Sequence, residues 1–246
     1  MRAPVDTIPA PLFPTKLPWV NSDGPVATLQ RGRPMLVEFW DFARPNSMRT
    51  LPYVKEWHAR YAGAGLRVIG VHCPGFDVSR SEDAVRTAVA RLEIEHPVLI
   101  DSELEVWREY ENEGWPARYL FDGRARLFDY HFGEGGYRET ELAIQELVGV
   151  DREPLGPLRP EDEPGARLAA QSTDRPGAYS GPYEAGGVWA VLDGSGELTV
   201  NGAHIAVEGP GAYALIEHTR HTAAELQLGV GPGVRCEATC FTPGLA

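Results

Sequence analysis

Residues 34–40, PMLVEFW, are apolar throughout except for Glu38, the pattern of a strand buried on both faces. After a turn, Leu51, Val54, Trp57, His58 and Tyr61 recur at three- and four-residue spacing. That period predicts a helix over 47–62 with one buried face, stopped by Gly63 and Gly65. LRVIGVH at 66–72 predicts a second buried strand. Ser81 is placed to cap a helix near 82–92, HPVLID at 96–101 predicts a third strand, and 102–111 a short helix. ARYLFD at 117–122 and RLFDYHFG at 126–133 predict a hairpin around Asp122-Gly123, and 137–149 a closing helix. The order is α/β, with a central sheet covered on both faces.

The pattern changes after residue 150. Residues 151–183 are rich in Pro, Gly and charge and read as a linker. From 184 to 246 the chain reads as all-β, with hairpin signals at Asp193-Gly194 and Asn201-Gly202. About 60 residues of short strands suggest a small sandwich, jelly-roll-like in character. At the other end, residues 1–30 are proline-rich and read as extended.

Charge narrows the partners. The net charge is −12, and no basic cluster exceeds Arg-Gly-Arg at 31–33. Nucleic-acid binding needs a positive stripe to neutralise phosphates, so it is not expected. No stretch reaches the ~18 apolar residues of a membrane helix, and the N-terminal segment has no apolar signal core. Three cysteines, Cys73, Cys236 and Cys240, give no disulfide framework in a chain of 246 residues. These features lead to the expectation of a cytoplasmic protein.

The chemistry-bearing segment is LVEFWDFARPNSMRTLPY at 36–53, where a strand runs through a turn into a helix. FWDFARPNSMRTLPYVKEWHARYAGAGLRVIGVHCPGF resembles the TlpA/DipZ group of thioredoxin-like proteins. In that group FW is followed by Cys-x-x-Cys, a Leu-Arg-Thr-Leu-Pro-Tyr run and a strand ending Val-Ile-Gly-Val-His-x-Pro. WVNSDGP, WREYENEGWPARYLFD and HFGEGGYRETELAIQEL extend the resemblance to about 15–150. It implies an α/β thioredoxin-like domain over 1–150. The β region is similar to the small module that follows this domain in DipZ proteins. The membrane-embedded electron-transfer domain that usually precedes the pair does not occur in this sequence.

In this chain the Cys-x-x-Cys positions hold Arg44, Pro45, Asn46 and Ser47. Dithiol exchange needs an attacking thiolate and a resolving thiol, and neither arginine nor serine supplies one. The resemblance implies that Pro116, after Trp115, is cis and faces the turn. It also makes Glu38 the buried acid that moves protons, a role a raised pKa would suit; with no thiol to serve, Glu38 could bond Ser47 or water. Arg44 and the helix N-terminus at Asn46–Met48 suit an anion or carboxylate. Trp40, Phe42 and Trp115 would wall the groove. Ala43 lies beside the motif, where some relatives carry a thiol. Cys73 ends the second strand and is the thiol nearest the site. In the β region His218, His221 and Glu225 are weak metal candidates, because their spacing matches no closed zinc pattern.

Three readings follow. The first is a redoxin-family protein without the dithiol motif that binds a small molecule or a protein at the old groove. The second is an oxidoreductase or peroxidase-like enzyme using one reactive residue, Cys73 or a residue whose place Ala43 takes. The third is a non-thiol enzyme built on Glu38, Arg44 and Ser47, or a metal-binding β-module. No cofactor is implied, and a homo-oligomer is left open.

Overall fold

The computed structural model describes residues 7–22, 30 and 32–246. Segments 1–6 and 23–29 and Arg31 lie outside the described residues, so the expectations for the proline-rich start and for the Arg-Gly-Arg cluster bear only on their neighbours. By contacts the chain divides into two units, one of the chain up to Asp41 with Asn46–Gly156, the other of Phe42–Pro45 with Pro157–Ala246.

The first unit is built on a six-stranded sheet: β1 (Trp19–Val20), β2 (Met35–Trp40), β3 (Arg67–His72), β4 (Val98–Ile100), β5 (Ala117–Phe121) and β6 (Leu127–Phe132), in the order β1-β4-β3-β2-β5-β6. β2, β3 and β4 are parallel; β5 runs antiparallel to β2 and β6 to β5. All six residues of β2 are buried, as its apolar run requires. Successive side chains take opposite faces. Met35, Val37 and Phe39 join one core with Ile69, Leu99 and Tyr119. Leu36 joins another with Trp57, Val68 and Ile144. Glu38 and Trp40 share the Leu36 face by this period.

Helix α1 (Pro45–Tyr61) starts two residues earlier than its hydrophobic period predicts. Pro45 occupies a first-turn position, where the missing N–H costs nothing and φ is already helical. The predicted face is buried at Leu51, Val54, Trp57 and Tyr61, while His58 is half-buried. A 3₁₀ turn over Ala62–Ala64 follows, and Gly65 closes it at φ 105°. Helix α2 (Glu82–Arg91) is capped by Ser81, whose Oγ accepts the Ala84 N–H at 3.1 Å. The predicted strand 96–101 shortens to β4, and the helix over 102–111 to α3 (Glu105–Glu109). Helix α4 (Tyr137–Val148) packs on α1: Tyr53 and Tyr137 stack at 3.7 Å, and the Trp57 indole donates to Glu141 at 3.2 Å.

The second unit is antiparallel throughout its sheets. Its strands are longer than the sequence suggests: β9 (Gly181–Gly194) has 14 residues and β12 (Gly211–Leu226) has 16. Both stay long because bulges absorb irregular stretches, as at Glu217–Thr222. β9 and β12 join β14 (Val234–Thr242) and β8 (Arg175–Pro176) in one sheet. β10 (Gly196–Val200), β11 (Ala203–Val207) and β13 (Leu228–Val230) form a second. Val188, Leu192, Leu198, Val207, Leu228 and Phe241 draw both sheets into one core. The Asn201-Gly202 signal is a two-residue hairpin, with both residues at positive φ (49° and 85°). The stretch read as a linker carries a 3₁₀ turn, Pro160–Asp162, β8 and a further short strand, β7 (Leu168–Ala169). β7 pairs with β15 (Gly244–Leu245).

Candidate functional site

The parallel strands β2, β3 and β4 end at one edge of the sheet, and the next residues carry the chemistry: Asp41, Cys73 and Asp101. Backbone bonds lock these ends in register. The Cys73 N–H donates to Trp40 O at 2.9 Å, and the Asp101 N–H to His72 O at 2.9 Å. The bond before Pro116 is cis. Trp115 lies against this edge, its indole N–H donating to Cys73 O at 2.9 Å and its ring 4.2 Å from that of Trp107.

At the turn, Ser47 is fully buried and its Oγ accepts the Asp41 N–H at 3.2 Å. Asp41 is also fully buried. One carboxylate oxygen takes the Gly75 N–H at 2.7 Å; the other lies 3.5 Å from His72 Nε2. Phe42, Ala43 and Pro45 are buried, Arg44 is half-buried and Asn46 exposed. At the turn itself Asn46 faces solvent, and Arg44 does so only in part, its Nε being buried.

Cys73 has no exposed surface. Its Sγ–H points to Asp101 Oδ2 at 3.5 Å, and the same carboxylate accepts the Glu105 and Trp107 N–H groups at 2.7 and 2.9 Å. Burial, then the Asp101 charge and hydrogen bond, hold the thiol well above its ordinary pKa. This environment opposes a thiolate, the form that attacks disulfides and peroxides.

Glu38 is fully buried, and burial raises its carboxyl to about 8, with the Arg118 guanidinium working the other way. The two residues face each other in the β2–β5 register. Neither Glu38 oxygen has a hydrogen-bond partner among the described residues. Of the two partners expected for it, Ser47 is not one: the Ser47 hydroxyl accepts the Asp41 N–H and makes no bond to Glu38. Arg118, itself 1% exposed, donates to Gly135 O and lies over the rings of Trp57 and Tyr137 at 5.5 and 5.0 Å. Cation–π contact offsets part of the cost of a buried guanidinium.

The structure thus brings Ser47, Cys73 and Trp115 to one edge and sets Glu38 deeper; Trp40 offers only its backbone oxygen there, its buried ring packing against His72, so neither it nor the fully buried Phe42 walls an open groove as expected. Sequence reasoning missed Asp41, Asp101 and Arg118. The first two directly follow strands β2 and β4, which was a legible signal; Arg118 lies within an apolar run and gave none. The β-region histidines do not converge on one ligand. His218 shares a hydrogen bond with Tyr183 Oη at 3.0 Å, His221 lies 3.6 Å from Glu184, and Glu225 is exposed. Among the described residues no three His, Cys, Asp or Glu side chains gather as metal ligands. Cys73, Cys236 and Cys240 are all free. Among the described residues no helix is long and apolar enough to cross a membrane.

No family model matches the chain. It is 30% identical over 195 residues to Protein DipZ of Mycobacterium tuberculosis, a match covering 74% of this chain and 28% of that protein. The chain therefore spans less than a third of the length of that relative, and the match extends beyond the first unit. It is 25% identical over 140 residues to the thiol-disulfide oxidoreductase YkuV of Bacillus subtilis, covering 57% of this chain and 94% of that one. The solution structure of a thioredoxin-like protein in the oxidized form matches with a TM-score of 0.52 at 25% identity, over 58% of this chain and 95% of the other. On the strand order, the cis proline and these likenesses, the chain belongs to the TlpA/DipZ-like thioredoxin-fold redoxin proteins.

Proposed function

We propose that this protein is a binding member of its family, using the thioredoxin fold without dithiol exchange. One observation carries the reading: Arg44 and Ser47 stand in the turn, and the one cysteine at that edge, Cys73, is buried against Asp101. The rival that uses Cys73 as a single reactive thiol needs an accessible thiolate, and burial and a neighbouring carboxylate both oppose it. The rival that uses a metal in the β region needs ligands that converge, whereas His218 and His221 have separate partners.

The ligand class proposed for the turn is a small anion or carboxylate. Arg44 supplies charge, and the first turn of α1, a 17-residue helix, supplies N–H groups and the positive end of its dipole. Three free cysteines suit a reducing compartment, which supports a cytoplasmic location. Calorimetry with acetate, inorganic phosphate and a small thiol tests the binding. Saturable heat with one of the anions that weakens in Arg44→Ala by about 1–3 kcal/mol is the expected result. An unchanged response in Arg44→Ala would remove the turn as the site.

A further inference from the structure

Arg33 precedes β2 and Arg67 opens β3, and the two strands start side by side, with Met35 opposite Arg67. β5 runs antiparallel to β2, so its last residue, Phe121, also lies opposite Met35 and delivers the hairpin tip 122–126 to the same end. Backbone contacts hold the three segments together. The Gly32 N–H donates to Gly123 O at 3.1 Å, the Arg67 N–H donates to Pro34 O at 2.9 Å, and a Cβ on Gly123 would stand 3.9 Å from Arg33 N. This end of the sheet is the opposite one from the Ser47 turn, roughly 20 Å away along the six residues of β2.

Around this junction stand four arginines, Arg33, Arg67, Arg124 and Arg126, in a chain of net charge −12. The hairpin tip also holds a carboxylate, Asp122, but it is engaged by the backbone: one of its oxygens accepts the Arg124 and Arg126 N–H groups, both at 2.8 Å. Arg33, Arg124 and Arg126 are exposed, and among the described residues none of their guanidinium groups meets a carboxylate; Arg126 Nη1 donates to Thr7 O at 2.7 Å. Arg67 is half-buried, and burial, then the Arg33 charge, push its guanidinium below the ordinary value. The fold thus sets like charges near one another that the sequence keeps apart. A hollow of about 290 Å³ opens at the hairpin tip, lined by Arg124 and Arg126 together with Gln30, Leu12 and Gly123. That volume is close to the lower end of small-molecule sites.

Positive charge from several segments repels a metal cation and attracts an anion. A guanidinium matches a phosphate with two parallel N–H···O bonds. One exposed charge contact is weak and screened by salt, so a single carboxylate gains little here. An anion that spans several arginines adds their contributions. We propose that this end of the sheet binds a small, soluble anion bearing two linked phosphate groups, held between Arg33, Arg124 and Arg126. The site goes beyond the anion-binding reading of the turn and does not depend on it.

The test uses the 15N-labelled full chain with pyrophosphate as probe and acetate as the monovalent rival, read residue by residue through amide shifts. Saturable shifts at Gly32, Gly123 and Ala125 are expected, with half-saturation at or below about 1 mM pyrophosphate. Acetate should bind at least about tenfold more weakly, and raising NaCl from about 0.05 to about 0.5 M should weaken pyrophosphate at least about tenfold. The three arginines are exposed, so replacing them leaves the core intact. Arg33→Gln, Arg124→Gln and Arg126→Gln should each weaken binding about two- to fivefold, the scale of one exposed charge contact. The triple variant should lose the saturable shift. No saturable shift, shifts confined to residues 46–48, an unchanged response in the triple variant, or equal affinity for acetate would each overturn the proposal. Co-sedimentation with phosphatidylglycerol vesicles, without a pyrophosphate shift, would overturn it in favour of a membrane surface.

Discussion

Cys73 Sγ lies 3.5 Å from Asp101 Oδ2, and the same carboxylate accepts two backbone N–H groups around the start of α3. The cysteine at the family's functional edge is thus bound into a structural anchor. Asp101→Asn would keep the shape but weaken bonds to a charged acceptor, costing about 1–3 kcal/mol in denaturant unfolding. Thiol accessibility follows the same geometry. Cys236 is half-buried, whereas Cys73 is fully buried. In the native chain iodoacetamide should modify Cys236 first and Cys73 last, read by peptide mass spectrometry. Early modification of Cys73 would contradict the burial argument.

Glu38 makes stability fall as pH rises. Burial raises its carboxyl from the ordinary 4.5 to about 8 in the folded chain, so between these values the folded chain holds a proton that the unfolded chain has lost. Stability contributed below the lower value is lost through the upper one, at up to about 1.4 kcal/mol per pH unit. Urea melts from pH 5 to pH 8.5 should show this decline, and Glu38→Gln should flatten it. An equal slope in both proteins would move the cause elsewhere.

The alternating and helical patterns made the sheet and α1, α2 and α4 legible, because each buries a regular face. Their ends were less legible: β4 closes at Ile100, where the Asp101 carboxylate turns to the start of α3. The lengths of β9 and β12 were hidden because a bulge breaks the period that marks a strand. At the site, the absent thiols at 44 and 47 were plain in the sequence. The burial of Ser47 and Cys73 was not, since it depends on partners distant along the chain.

Gly186 and Gly244 stand where the second unit admits no side chain. A Cβ on Gly186 would collide with Pro243 O and with the Gly244 backbone, and a Cβ on Gly244 would come within 2.7 Å of His221 N. Gly186→Ala must displace backbone, which overpacks the region at a cost of about 1–3 kcal/mol. Thermal unfolding should show a clear drop for Gly186→Ala and little change for Gly156→Ala, where nothing stands within 4 Å. Equal effects would contradict the close approach.

Insulin reduction driven by dithiothreitol tests the central claim, that the fold is kept here without thiol exchange. The turn holds Arg44 and Ser47, and Cys73 lacks an accessible thiolate, so the rate with the full chain should equal the uncatalysed rate, and Cys73→Ser should not alter it. Turnover above the uncatalysed rate that disappears in Cys73→Ser would contradict the account and make Cys73 the reacting group.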